Sequence, residues 1–299
     1  MSTNIMFNRS NIIDPSNSKL EYRFPTSLTL EEGDSCAVKK LNVFFSWFNI
    51  SKQYGNNTFS YIWWDANGDL TDSKTVTIDD GYYSVALLNE YLIAAMTKNG
   101  HYLESKDSSS NAYFIQFRSN PVTYAIEVVF NSLCELYDDQ TTANGNTTYL
   151  DYFKAPTGWA LPSTYQIPQV YINNTAFGKL IGFPQGTVVC ESPTVNTLYA
   201  QQYSTGSKFT PQMEPSSNFF VTCSLVSNAL SIPNNIIDSF CIPNNTQFGD
   251  MMSPLGDQVV YSKIKPGTYH SCTIEIFDQD FNKLQILDNN ILLILSILH

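Results

Sequence analysis

The chain is short of charge and shorter still of histidine. Only 14% of its 299 residues are Asp, Glu, Lys or Arg, against a usual share of about 25%. There are three histidines, and one of them is the last residue, His299. No G-x-S-x-G, H-E-x-x-H, G-x-x-x-x-G-K or G-x-G-x-x-G occurs. That removes the nucleophile-elbow, zinc-protease, P-loop and dinucleotide signatures. The six cysteines, Cys36, Cys134, Cys190, Cys223, Cys241 and Cys272, are widely spaced and include no C-x-x-C. At His270-Ser271-Cys272 alone does a histidine approach metal-ligand spacing, and there Cys272 alternates with Ile274 and Ile276 as a reduced core cysteine would. No apolar run follows Met1, so the expectation is no secretory signal and a reducing, cytoplasmic site of synthesis. Sequons at Asn49, Asn56 and Asn146 then stay unmodified. Ile291 to Leu298 (ILLILSIL) is far shorter than the ~20 residues of a membrane-spanning helix. Basic residues are scarce as well. A net charge of −11 argues against nucleic acid as the main partner. Lys39-Lys40, the one adjacent basic pair, reads as a solvated strand end.

What is abundant points to strands and turns. Apolar residues make up 43%, enough for a globular core. The polar surface comes from uncharged side chains, with 28 Asn among them, and Asn favours turns. An AT-rich genome would inflate Asn equally well. Leu20–Leu30 reads as extended, with Pro25 suited to an edge or bend. Cys36–Ile50 is a central strand pair or one bent strand. Thr58–Trp64 and Lys74–Ile78 flank Asn67-Gly68, a hairpin turn. Tyr83–Asn99 is a helix: Leu88, Tyr91, Leu92, Ala95 and Met96 share one face, Ser84 caps the start and Asn99-Gly100 ends it. Strands follow at Ala112–Arg118 and Tyr124–Phe130. Residues 56–130 therefore read ββαββ. Residues 131–165 are loop-like, and Phe177–Phe183 is a short apolar turn or helix. Further strands are expected at Thr197–Tyr203, Asn218–Val226 and Gln258–Ile264, with a closing pair after Ser271. An Ile/Leu strand such as Ile291–Leu298 belongs between other strands or against another subunit.

Candidate chemistry is thin. Asp79-Asp80 sit on opposite sides of an extended chain and serve the turn before the helix better than catalysis. Asp65-x-Asn67-x-Asp69 and Asp278-x-Asp280-x-Asn282 begin like calcium loops. The first fails at Leu70 and Val76, the second at Lys283 and Asn289. Both read as hairpin turns. Trp63-Trp64, adjacent on a strand, should face opposite sides, one in the core and one at a domain or subunit contact. A carbohydrate platform would use the same pair. No catalytic, cofactor-binding or metal-binding residue is assigned, and the chain is not expected to be an enzyme.

Several stretches, in order along the chain, resemble the penton (vertex) capsid proteins of virophages and polinton-like (Maverick-type) viruses. They are Phe45–Ile50, Asn57–Tyr61, Thr75–Tyr83 leading into Leu88–Leu92, Phe177–Phe183, Val221–Val226 and the closing hairpin Thr273–Leu298. The resemblance implies a mainly β fold: a single jelly-roll β-sandwich from residues 1–55 and 190–299, with a small α+β insertion at 56–189. It implies a structural virion protein that forms homopentamers at icosahedral vertices and contacts the major capsid protein. A host-cell surface receptor is a candidate partner of the insertion. The alternative is a viral β-sandwich attachment or carbohydrate-binding protein.

Overall fold

The computed structural model describes residues 2–105, 111–130, 153–154, 156–160, 167–188, 203–214, 218–243, 245–254 and 259–299. The chain divides into two compact units, Met1–Phe48 with Ser216–His299, and Asn49–Pro215.

The first unit holds eight principal strands: β1 (Ser2–Asn8), β2 (Lys19–Leu30), β3 (Ser35–Phe44), β4 (Asn218–Cys223), β5 (Ile236–Cys241), β6 (Met251–Met252), β7 (Gly267–Asp278) and β8 (Leu292–Leu298). They form two antiparallel sheets, one in the order β1-β8-β3-β6 and the other β5-β4-β7-β2. Consecutive strands switch sheets at every step except β4 to β5, and the last strand lies between the first and the third. That order is the eight-stranded jelly-roll. A short strand, Ser262–Lys263, adds to β3. Alternation explains the core. Leu293, Leu295 and Ile297 of β8 are buried, as are Ile5 and Phe7 of β1 beside it. Trp47 packs on Phe219 (ring centroids 4.7 Å apart), which stacks on Phe240.

Local sequence sets the irregularities. β2 is a sheet edge, and its pairing jumps from Arg23–Ser271 to Leu28–Tyr269. One residue of β7 thus faces four of β2, Pro25 among them, where a missing N–H is tolerated. Cys36–Ile50 resolves into one strand that ends at Phe44. The final two segments are not a hairpin: β7 and β8 belong to opposite sheets. Between them, Lys283–Leu287 crosses from one sheet to the other. Its Leu284 N–H donates to Ile276, Ile286 N–H to Ser16 and Leu287 N–H to Ser46. The buried Leu284 and Ile286 point inward on the way.

The second unit has its own aromatic core. Its main sheet pairs Thr58–Trp64 with Leu70–Thr77 on one side and Gln169–Ile172 on the other, with Gly186–Val188 beyond. The Asp65–Asp69 turn closes the hairpin, with Gly68 at φ +81°. Helix α1 (Val85–Asn99) starts where the Ser84 hydroxyl accepts the Leu87 N–H and ends at Gly100 in the left-handed region. Leu88, Leu92 and Met96 form its buried stripe. A second hairpin, Ile115–Asn120 with Ala125–Phe130, carries Tyr203–Gly206 on its far side. Hairpin, helix and hairpin follow in the expected order, with short strands Leu103–Ser105 and Asn111–Ala112 between helix and second hairpin. Helix α2 (Thr175–Ile181) is capped by Asn174 and ended by Gly182 in the left-handed region. It needs glycine at 178, where any Cβ would collide with the Phe183 carbonyl oxygen.

Candidate functional site

The most chemically distinctive cluster surrounds His101, in the second unit. Chain reversal after Gly100 puts this residue back over the main sheet, and its ring lies flat on Trp63, 5.0 Å between centroids and 2° between planes. Its Nε2 lies 3.3 Å from Asp72 Oδ2, and its Nδ1 lies 3.0 Å from the Tyr61 hydroxyl. The Asp72 carboxylate only accepts, so the neutral ring carries its proton on Nε2, and Nδ1 accepts from Tyr61. Asn99 donates to the same hydroxyl oxygen at 2.8 Å, and Lys74 pairs with Asp72 at 2.8 Å. Burial pushes the His101 pKa down to about 4; the Asp72 charge opposes this and the Lys74 charge adds to it. Burial likewise raises Tyr61 well above the usual phenol range. Tyr, His and Asp in series can relay a proton. Here the Tyr61 side chain is fully enclosed and packed edge-on against Trp63, so the series acts as a hydrogen-bonded brace within the core.

Trp63 and Trp64 depart from expectation, because both are fully buried. The hairpin register shifts beside them, with Thr71 the extra residue of the partner strand, and the added local twist of the bulge accompanies the turning of both rings into the core. The rings lie 5.0 Å apart, and both contact Phe114 and Trp159. Both rings belong to the core of the second unit, so neither offers a carbohydrate platform. The same device moves Lys39-Lys40, which lies in the middle of β3 and not at a strand end. The β3–β8 register shifts between Ile294 and Leu295, opposite this pair, and both lysines are exposed.

The acidic pairs and triplets have local partners. Asp65 Oδ1 accepts the Asn67 and Asp69 N–H groups and Oδ2 accepts the Thr71 hydroxyl, and these bonds hold its pKa below the usual carboxylate value. Asp278 Oδ1 likewise accepts the Asp280 and Asn282 N–H groups. Both are side-chain-stabilised turns. Asp80 accepts the Lys52 N–H and Asp79 the Tyr91 hydroxyl, fixing the approach to α1. Among the described residues no group of three His, Cys, Asp or Glu is arranged to hold a metal ion, and no helix is long and apolar enough to cross a membrane.

Cys36, Cys223 and Cys272 are free and buried in the sandwich, with Cys223 and Cys272 sulfurs 3.7 Å apart; Cys241 is free and exposed. Cys134, Cys190, Asn146 and most of Thr197–Tyr203 lie outside the described residues. The other two sequon asparagines are buried structural groups. Asn49 donates to the carbonyls of Tyr83 and Met213, both at 2.8 Å, and accepts the Tyr83 N–H. Asn56 donates to the Asn49 carbonyl and accepts the Ser51 N–H. Sequence reasoning missed this clamp and the His101 brace. Both join residues tens of positions apart, and the one local clue was the Asn99-Gly100 helix stop just before His101.

No protein-family model and no curated protein matches the chain. Two of the solved structures similar to it align along nearly its whole length. The mavirus penton protein aligns over 99% of this chain and 97% of its own, at 9% identity and a TM-score of 0.46. A chain from the cryo-electron microscopy structure of the Sputnik virophage aligns over 99% and 96%, at 11% identity and a TM-score of 0.42. The jelly-roll assignment itself rests on the strand order of the first unit.

Proposed function

We propose that this chain is a structural, non-enzymatic viral capsid protein that forms pentamers at the icosahedral vertices of a virion. One observation carries the reading. A complete jelly-roll is interrupted once, between β3 and β4, by a unit with its own core. A jelly-roll packs its strands in two facing sheets, which suits side-by-side packing of copies around a symmetry axis. The inserted unit, which contains all of residues 56–189, is then free to project from the shell and meet a host-cell surface. The partners in this reading are four further copies and the major capsid protein, with assembly in the host cytoplasm. The sequence stretches that resemble virophage pentons support it.

Electron microscopy and sedimentation of the purified protein test the proposal. Five-fold rings are the expected result. A monomer at high concentration, together with no five-fold density from this chain in particles, overturns it.

A further inference from the structure

At the end of the jelly-roll where β2 turns into β3, two loops are strapped to each other. The β4–β5 loop and the segment at 259–266 meet at the antiparallel bridge Val226–Ile264. The Ser227 N–H donates to the Lys263 carbonyl at 3.1 Å, and the Lys265 N–H to the Leu225 carbonyl at 2.9 Å. Leu225, Val226 and Ile264 are buried and root the pair in the core. The Ile264 N–H also donates to the Asp34 carbonyl of the β2–β3 turn. Beyond these roots the apolar side chains face the other way. Leu230 is 97% exposed, Ile232 94% and Val260 74%. The loop that carries the first two is braced from within. The Asn228 N–H donates to the Asn234 carbonyl at 2.6 Å and the Ser231 N–H to the Asn228 carbonyl at 3.3 Å. The Leu230 N–H donates to Asn228 Oδ1 at 3.0 Å. A side-chain-stabilised turn thus holds the aliphatic groups outward.

Shape and order say what these tips fit. Side chains this exposed stand proud of their neighbours and form no groove or flat floor. Leu and Val are also poor substitutes for the aromatic and Arg anchors of protein interfaces. A fluid apolar medium needs no matching pocket. Polarity is graded as well. Going back along the chain from Val260 come Tyr261, then Lys263 and Lys265, all exposed. Aliphatic outermost, then an amphipathic ring, then cations is the order of a membrane interface. Glu31 and Glu32, exposed in the neighbouring β2–β3 turn, offset the two lysines, so anionic headgroups gain no net attraction here. We propose that this end of the jelly-roll docks on the surface of a zwitterionic lipid bilayer. Leu230, Ile232 and Val260 insert among the acyl chains, with Tyr261 at headgroup level. The inference stands on the first unit alone and does not depend on the oligomeric state of the protein.

Flotation of the full-length protein with phosphatidylcholine vesicles is the test. The parent is expected to float with the vesicles and to stay bound in about 0.5 M salt, where exposed charges are screened. The Leu230→Ser/Ile232→Ser double variant should partition at least tenfold less. Both side chains are almost fully exposed, so its unfolding curve should match the parent. Val122→Ser removes a comparably exposed side chain from the second unit and should float like the parent. Insertion of the tip is read separately with Leu230→Trp, whose added fluorescence should be quenched by brominated lipid; the four native tryptophans are buried. The proposal is overturned if the parent stays unbound, if the double variant floats equally well, or if Val122→Ser is impaired as much as the double variant. Release by salt would also overturn it, by assigning the binding to the lysines.

Discussion

His101 holds its ring neutral between an aromatic plate and a carboxylate, so acid acts on it through the unfolded state. Its pKa is about 4 when folded and about 6.5 when not. Between those values the unfolded chain binds the proton more readily. Stability is therefore complete above pH 6.5, falls as pH drops through the window, and levels off below about 4. From pH 7 to pH 5 the loss is about 2 kcal/mol. Urea unfolding of the second unit, followed by fluorescence of Trp63, Trp64 and Trp159, should show a midpoint that falls over this range. His101→Phe keeps the stack on Trp63 and removes the titrating group, so its midpoint should follow pH much less. Equal slopes in both proteins would place the acid response at a group other than His101; Glu214, whose pKa burial raises, would act in the opposite direction, stabilising the fold as pH falls. At this scale the sequence was legible where the signal was local. Ser84 as helix cap and Gly100 as helix stop need only their immediate neighbours. The His101 partners lie 29 and 40 positions away, and the outward ring expected of the Trp63-Trp64 pair was lost beside a one-residue bulge that composition does not announce.

Strand β8 shows what periodicity can and cannot say about an element. That Ile291–Leu298 lies between other strands was readable from its run of Ile and Leu, although its burial alternates along the strand and Leu298 is exposed. Its neighbours were not, because pairing is non-local: the SCTIEIF strand that precedes it in sequence went to the other sheet, and β1 and β3, more than 240 residues away, took its two edges. Each contributes a seven-residue ladder, so removing Ile291–His299 leaves β1 without its strand partner, strips β3 of its longest ladder and opens the core over Phe7, Leu41 and Cys36. The truncated chain is expected to lose its folded jelly-roll, not merely its ability to assemble, as read by Trp47 fluorescence and dispersed amide resonances. A finer test is Leu295→Ala, which deletes a fully buried side chain and should cost about 2–5 kcal/mol. Leu298→Ser, at a site 42% exposed, should stay within about 0.5 kcal/mol of the parent. If the truncated protein folded as a monomer, the strand would belong to an interface and the core would be complete without it.

At the scale of the whole molecule, the division into Met1–Phe48 with Ser216–His299 and Asn49–Pro215 makes a claim about cooperativity. Contacts within the second unit tie its own ends together: the Asn49 amide binds the Met213 carbonyl, and the neighbouring Tyr82 hydroxyl donates to Glu214. A unit whose ends already meet closes no further loop on folding, so its host loses little chain entropy by carrying it. Its core, built on Tyr61, Trp63, Trp64, Phe114 and Phe177, draws on residues of that unit alone. Residues 49–215 expressed alone should therefore fold, with a cooperative urea transition and the α1 signal in circular dichroism. The jelly-roll, with Phe48 joined to Ser216 through a short Gly/Ser linker, should fold as well, since each of its sheets is built from its own strands. Asn49→Ala removes the clamp and leaves the Tyr83 and Met213 carbonyls without that donor. It should lower the stability of the isolated second unit by about 1–3 kcal/mol, read as a lower urea midpoint. A second unit that is unfolded in isolation would mean that its core depends on the jelly-roll, and the insertion would have to be treated as part of one cooperative fold.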